Sequence, residues 1–394
     1  MIALRFGAVL AVAPVVGSGG GLHAPTPPAY SVSVADGAHA ASAASAASAG
    51  RAAADTSFDT VFVVSNRRRT SHGFLREPTD SLWRGLYVVR IIAAANDVPE
   101  LARLDVRRVD SLALDPDTWH ERLQASAARD TSAEGAVLIY VHGYSSNPGY
   151  ATNQGVQVKK RGDHAGPLVL FLWPAHDMRV TVRSPLKAYR EDERAAAGSG
   201  AAFALVLREV HGISPNAILV AHSMGNRIAL AAAVGDEPTR AELEAHPLRA
   251  IGLFSPDVGA EQFRVEFAPE LPLLARRVAM YGATTDYLLG ASALVNRERR
   301  AAGITRRGPP LPGIELVDDT RGVRAEPALF NFIGAKHAVR WASAALADFF
   351  DVVAAGAPPS CRVAAGAADS VSVGRWRLKP GARRISALLA DCLR

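Results

Sequence analysis

Repeatedly along this chain a short, uninterrupted apolar run gives way to a turn and then to a segment of helical pattern. The runs are Ala136-Val137-Leu138-Ile139-Tyr140-Val141, Leu168-Val169-Leu170-Phe171-Leu172, Ala217-Ile218-Leu219-Val220, Ala250-Ile251-Gly252-Leu253-Phe254 and, after Arg277, Val278-Ala279-Met280-Tyr281. A strand with one wet face alternates apolar and polar residues, so a strand without polar positions has both faces covered. Helical patterns lie between the runs at 150–161, 190–210 and 261–267. Strand-helix-strand order makes neighbouring strands parallel and puts their crossovers on the faces of the sheet. The expected fold is therefore α/β, a mostly parallel central sheet with helices on both faces. Val61-Phe62-Val63-Val64 opens it, Leu86 to Ile91 can pair with that strand, and a helix over 335–350 closes it, with Trp341, Ala345 and Phe349 spaced by four.

The flanks differ in composition from this body. Residues 1–16 carry one early charge, Arg5, then an apolar run, the outline of a secretory signal peptide without a clean cleavage site. Export to the periplasm or medium and retention in the cytoplasm both stay open. Residues 35–54 are almost pure alanine and serine and read as a linker. The expected organisation is a leader and linker over 1–55, one folded domain over 56–352, and a basic extension over 353–394. The net charge of +6 comes mostly from that extension, where Arg362, Arg375, Arg377, Lys379, Arg383, Arg384 and Arg394 face only Asp369 and Asp391. A nucleic-acid groove gathers cations on a working face, so this distribution argues against nucleic acid as a partner. Cys361 and Cys392 also lie there, and the sequence leaves open whether they form a disulfide or stay reduced. No close Cys/His spacing suggests a metal, no stretch is long and apolar enough to cross a membrane, and no cofactor is implied.

Ala221-His222-Ser223-Met224-Gly225 follows the run ending at Val220 and precedes Asn226-Arg227-Ile228-Ala229-Leu230. A serine on so tight a strand-to-helix turn is pushed above the sheet edge, and small residues on either side let the turn close. Gly225 is one of them, and Ala221 stands where a glycine is usual. A serine hydroxyl needs a general base to attack a carbonyl, and the base needs a group to hold it. On this architecture the order is serine, acid, histidine. Asp286, just past the run ending at Tyr281, is the expected acid, and Asp257 in Ser255-Pro256-Asp257-Val258 is its competitor. His337 is the expected base, since His246 lies in a polar stretch and reads as surface. An oxyanion hole would use the backbone N–H groups of Met224 and Tyr144, with Gly143 bending the His142-Gly143-Tyr144-Ser145 turn inward. Trp173 suits either the pocket mouth or the core, and Arg67-Arg68-Arg69 and Lys159-Lys160-Arg161 could attract an anionic substrate but read rather as solvated faces.

Over residues 61–350 the chain resembles the alpha/beta-hydrolase superfamily, and within it a bacterial esterase/lipase-like family catalogued as a domain of unknown function. The resemblance rests on Ser65-Asn66-Arg67, Val141-His142-Gly143-Tyr144, Phe171-Leu172-Trp173-Pro174, Tyr189-Arg190-Glu191-Asp192, Ala221 to Arg227 and Ser255-Pro256-Asp257-Val258. It implies a Ser-Asp-His triad at Ser223, Asp286 and His337 and brings no substrate with it. The expected activity is that of a serine hydrolase acting on a small ester or related acyl compound through an acyl-enzyme. An acyltransferase on the same scaffold, or a binding protein without turnover, remains an alternative. Oligomeric state has no signature here. The expected cap, 175–200, has no pattern that converts to acyl-chain length.

Overall fold

The computed structural model describes residues 55–71, 73–93, 104–129, 136–177, 183–321, 337, 343–379 and 392. The leader over 1–16 and the linker over 35–54 lie outside the described residues, as does Trp341 in the expected closing helix. Strands β1 to β11 span Asp55–Thr70, Gly73–Ala93, Leu104–Leu114, Leu138–Val141, Leu168–Leu172, Ile218–His222, Ala250–Phe254, Val278–Gly282, Ile314–Asp318, Ala368–Ser372 and Arg375–Leu378. They form one sheet in the order β10-β11-β9-β8-β7-β6-β4-β5-β1-β2-β3. From β11 to β1 every neighbouring pair is parallel, and antiparallel strands finish both ends.

Successive side chains of one strand point to opposite faces, and the core divides accordingly. Phe62, Val64, Ile139, Val141, Val169, Phe171, Leu219, Ala221 and Ile251 belong to one apolar cluster. Their neighbours Val61, Val63, Leu138, Tyr140, Leu168, Leu170, Ile218, Val220 and Ala250 belong to the other. Helices cover both: α1 (Pro116–Ala127), α2 (Pro148–Arg161), α3 (Pro185–Ala197), α4 (Gly200–Ile213), α5 (Gly225–Ala233), α6 (Glu237–Ala245) and α7 (Tyr287–Asn296). Their starts are written locally. Asp115, Asn147, Asp236 and Asp286 each accept a first-turn backbone N–H, and proline follows at the start of α1, α2 and α6.

Three expectations change. The single helical stretch over 190–210 is two helices, α3 and α4, broken at Gly198-Ser199. Ser199 is buried there; its hydroxyl donates to the Ala195 carbonyl at 2.7 Å and accepts from Asn66 Nδ2 at 3.0 Å. The extension expected from 353 does not stand apart from the sheet, because β11 pairs in parallel with β9 and carries β10 with it. Among its described cations, Arg377 pairs with Asp318, and Arg375 donates to the Gly308 carbonyl. Arg67 is no solvated face either. It is buried, with Nε donating to the Trp173 carbonyl at 2.9 Å and Nη2 to the Ser146 and Ala175 carbonyls at 3.1 and 2.9 Å. Burial pulls its pKa down to about 10, and its fork ties together the turns after β4 and β5.

Cys361 and Cys392 form a disulfide across 31 residues. In the chain-entropy treatment a loop of that length stabilises by about 3 to 4 kcal/mol. A Cys361→Ser/Cys392→Ser variant is expected to melt at a lower temperature than the oxidised protein, with reductant moving only the wild type.

Candidate active site

The turn from β6 into α5 is held in an uncommon backbone state. Ser223 has φ 53°, in the left-handed region that a non-glycine residue adopts only under constraint. The constraint is visible. Ser223 N–H donates to the Phe254 carbonyl at 2.9 Å, and its own carbonyl accepts from Asn226 Nδ2 at 2.9 Å and from Asp257 N–H at 3.2 Å. Asn226 is fully buried and also donates to Phe254 O. Gly225 packs onto the end of β4 so tightly that a Cβ there would lie 2.5 Å from the His142 carbonyl oxygen. Ala221 needs no such freedom, since its methyl points into the apolar cluster below. That explains why alanine serves at the first small position.

Gly143 carries the opposite wall. A Cβ on it would come within 3.0 Å of Ser223 Cβ and 2.8 Å of His222 Nδ1. Glycine thus lets the turn after β4 lie directly against the serine, and Tyr144 follows at that wall. Tyr144 is half-buried; its phenol donates to the Pro185 carbonyl at 3.2 Å, and its ring meets Tyr189 edge-on at 5.6 Å between centroids. Met224 is fully buried at the first position after the serine. The next residue of the β4 turn, Ser145, also has positive φ, and its N–H donates to the buried carboxylate of Asp192. Asp192 accepts as well from His176 N–H at 2.9 Å and pairs with His176 Nδ1 at 2.6 Å. Burial raises its pKa.

Ser223, Asp286 and His337 are brought together. His337 Nδ1 stands 2.7 Å from Asp286 Oδ2 and Nε2 stands 2.8 Å from Ser223 Oγ. With the Nδ1 proton donated to the carboxylate, Nε2 is an acceptor for the serine hydroxyl, an arrangement that can take the hydroxyl proton during attack on a carbonyl. Asp286 is buried at the start of α7, where Oδ1 accepts from Leu289 N–H at 3.1 Å and Oδ2 remains for His337. Burial alone would push the His337 pKa down. The Asp286 charge and hydrogen bond, with a smaller contribution from Asp257, outweigh it and raise the pKa above 6.5.

Asp257 is not at the histidine. Its Oδ1 accepts from Ser292 Oγ at 2.5 Å and pairs with Arg300 Nε at 3.2 Å, while Oδ2 accepts from Tyr189 at 2.9 Å. Burial, followed by the Asp257 charge, pushes Tyr189 up to about 12. Arg227 donates to the Asp257 carbonyl and to Glu193, so this cluster fastens α3, α5 and α7 to one another. Nothing local in the sequence marks Ser292, Arg300 or Arg227 for that role. Trp173 resolves to the core: its indole stacks on His142 at 5.1 Å and donates to the His142 carbonyl at 2.7 Å. Burial, with Arg67 adding to it, holds His142 down to about 3, so its ring is neutral. His246 is exposed, as expected. Among the described residues no helix is long and apolar enough to cross a membrane, and no cluster of His, Cys, Asp or Glu is placed to hold a metal ion.

A mostly parallel sheet flanked by helices, with a strained serine between a central strand and its helix, is the alpha/beta-hydrolase fold, and this chain has it. Residues 120–311 match the family described as "Alpha/beta hydrolase of unknown function (DUF900)". Among solved structures, a protein from Xanthomonas campestris described as a "putative hydrolase of the alpha/beta superfamily" is 20% identical, with 55% of this chain and 96% of that one covered and a TM-score of 0.26. A tryptophan-to-histidine variant of the esterase rPPE is 11% identical, with 74% and 80% covered and a TM-score of 0.27. At that identity and overlap neither structure informs the chemistry. A search of curated proteins finds no match.

Proposed function

We propose that this alpha/beta hydrolase is a serine hydrolase that cleaves small carboxylic esters through an acyl-enzyme. The observation that carries this reading is the relay from Asp286 Oδ2 through His337 to Ser223 Oγ, with separations of 2.7 and 2.8 Å. Ser223 Oγ attacks the ester carbonyl as His337 Nε2 takes its proton. His337 returns that proton to the leaving alkoxide when the tetrahedral intermediate collapses to the acyl-enzyme. Water then repeats the sequence and frees the acid. Asp286 holds the imidazole tautomer and offsets the charge of the imidazolium. The oxyanion falls to the backbone N–H groups of Met224 and Tyr144, where losing one donor would cost about a hundredfold or more in rate.

A panel of nitrophenyl esters of graded chain length, run beside Ser223→Ala, tests the reading. Turnover by the wild type and none by the variant is expected. Equal turnover by both would overturn the assignment, and release of an acylated alcohol in place of free acid would turn the reading to acyl transfer.

The reading also fixes a pH dependence. Only neutral His337 accepts the serine proton, and Asp286 favours the protonated form. Activity is therefore lost as pH falls through a value above 6.5. The acid limb of kcat/KM should have its midpoint above that figure, and Asp286→Asn should move it lower.

A further inference from the structure

His222 lies one residue before the serine, at the buried end of β6, whose other side chains are apolar. Its Nε2 stands 2.6 Å from the backbone carbonyl oxygen of His337, and the two rings lie 4.9 Å apart, tilted by 50°. A carbonyl only accepts, so the His222 proton sits on Nε2 and Nδ1 is bare. That Nδ1 is buried against Gly143 and has no hydrogen-bond partner among the described residues. Leaving a polar atom unpaired in the interior costs about 1 to 3 kcal/mol. A leucine or phenylalanine would fill the place without that cost, so packing does not account for a histidine here. What the imidazole adds is one hydrogen bond, and its acceptor is the backbone of the residue that bridges Ser223 and Asp286.

We propose that His222 is a positioning residue whose Nε2–H holds the His337 backbone, so that the His337 imidazole stays in line between Ser223 Oγ and Asp286 Oδ2. The inference deepens the serine-hydrolase reading and rests on it for its kinetic consequence. One short segment then places both nucleophile and base: Ser223 by its left-handed turn, His337 through the side chain immediately before it. Burial, and after it the nearby His337 charge, push His222 down to about 3. It therefore keeps a single proton through the neutral range and adds no second positive charge beside His337 when that ring is protonated.

The test compares His222→Ala, His222→Phe and His222→Gln. Phenylalanine keeps the packing without the donor, and glutamine restores an N–H at similar reach. For nitrophenyl ester hydrolysis, Ala and Phe should lower kcat by about ten- to a hundredfold, as small misplacements of reacting groups do, with KM within about twofold. Gln should recover most of the loss, and Phe should melt near the wild-type temperature. Crystal structures of the wild type and the Phe variant supply an arm that needs no turnover: in the variant, His337 Nε2 should leave hydrogen-bond distance of Ser223 Oγ. The proposal is overturned if Phe turns over like the wild type, if Gln is no better than Phe, or if His337 is undisplaced in the Phe structure. Absence of ester turnover in the wild type would instead count against the hydrolase reading, and the crystallographic comparison would still decide the role of His222.

Discussion

Asp286→Asn is expected to lower kcat by about 10⁴-fold while leaving the fold intact. Asparagine has nearly the same shape, and its amide oxygen can still accept the Leu289 N–H that starts α7. What it cannot do is carry the charge that stabilises the His337 imidazolium, or secure the tautomer that leaves Nε2 free for Ser223. The competing acid should behave differently. Asp257→Asn disturbs an oxygen pair shared among Ser292, Arg300 and Tyr189, so its main effect should be on thermal stability. Kinetics and melting curves of the two variants separate the roles. Loss of turnover on Asp257→Asn alone, with Asp286→Asn active, would reverse the assignment.

Arg362→Met should have the largest effect on folding, a loss of about 3 to 5 kcal/mol measured by chemical denaturation. The guanidinium is fully buried and binds Asp348 in two-pronged fashion, Nε to Oδ1 at 2.6 Å and Nη2 to Oδ2 at 3.0 Å. It also donates to Glu315 on β9, which Arg277 meets from the other side, and packs over the Trp376 ring of β11. Tyr281, on the strand that leads to Asp286, donates to Asp348 at 2.7 Å. Methionine would keep most of the volume but take from buried Asp348 its guanidinium partner and leave Glu315 to Arg277 alone, and uncompensated buried charge is costly. Replacing Asp348 by asparagine in the same chain should recover part of the loss. An unchanged midpoint for Arg362→Met would show that the network carries little of the stability.

The parts of this molecule legible in its sequence are those where each residue answers a local demand. The central strands are continuous apolar runs because both faces are covered, and Gly225 and Gly143 are required because a Cβ would lie 2.5 Å from the His142 carbonyl oxygen at the first and 2.8 Å from His222 Nδ1 at the second. Strands β9 and β11 escaped notice for the complementary reason. Glu315, Asp318, Arg375 and Arg377 break the apolar pattern, and only in three dimensions does each meet a partner that makes its burial tolerable. Arg67 is the same case, since three backbone carbonyls from two separate turns converge on it. Asp286 and Asp257 both follow strands of the parallel sheet, and the sequence favours Asp286 only by its strand, the second after the one that carries Ser223. The separation comes from α7, whose capping aspartate turns one oxygen to the helix and the other toward His337.

In the proposed mechanism the Ser223 hydroxyl is made nucleophilic by its neighbours. Fluorophosphonate labelling of the intact protein reads this most directly, with the modified residue identified by peptide mass analysis. Stoichiometric modification of Ser223 is expected, abolished in Ser223→Ala and slowed strongly in His337→Ala. A wild type that takes no label, or a Ser223→Ala variant that labels equally, would contradict it.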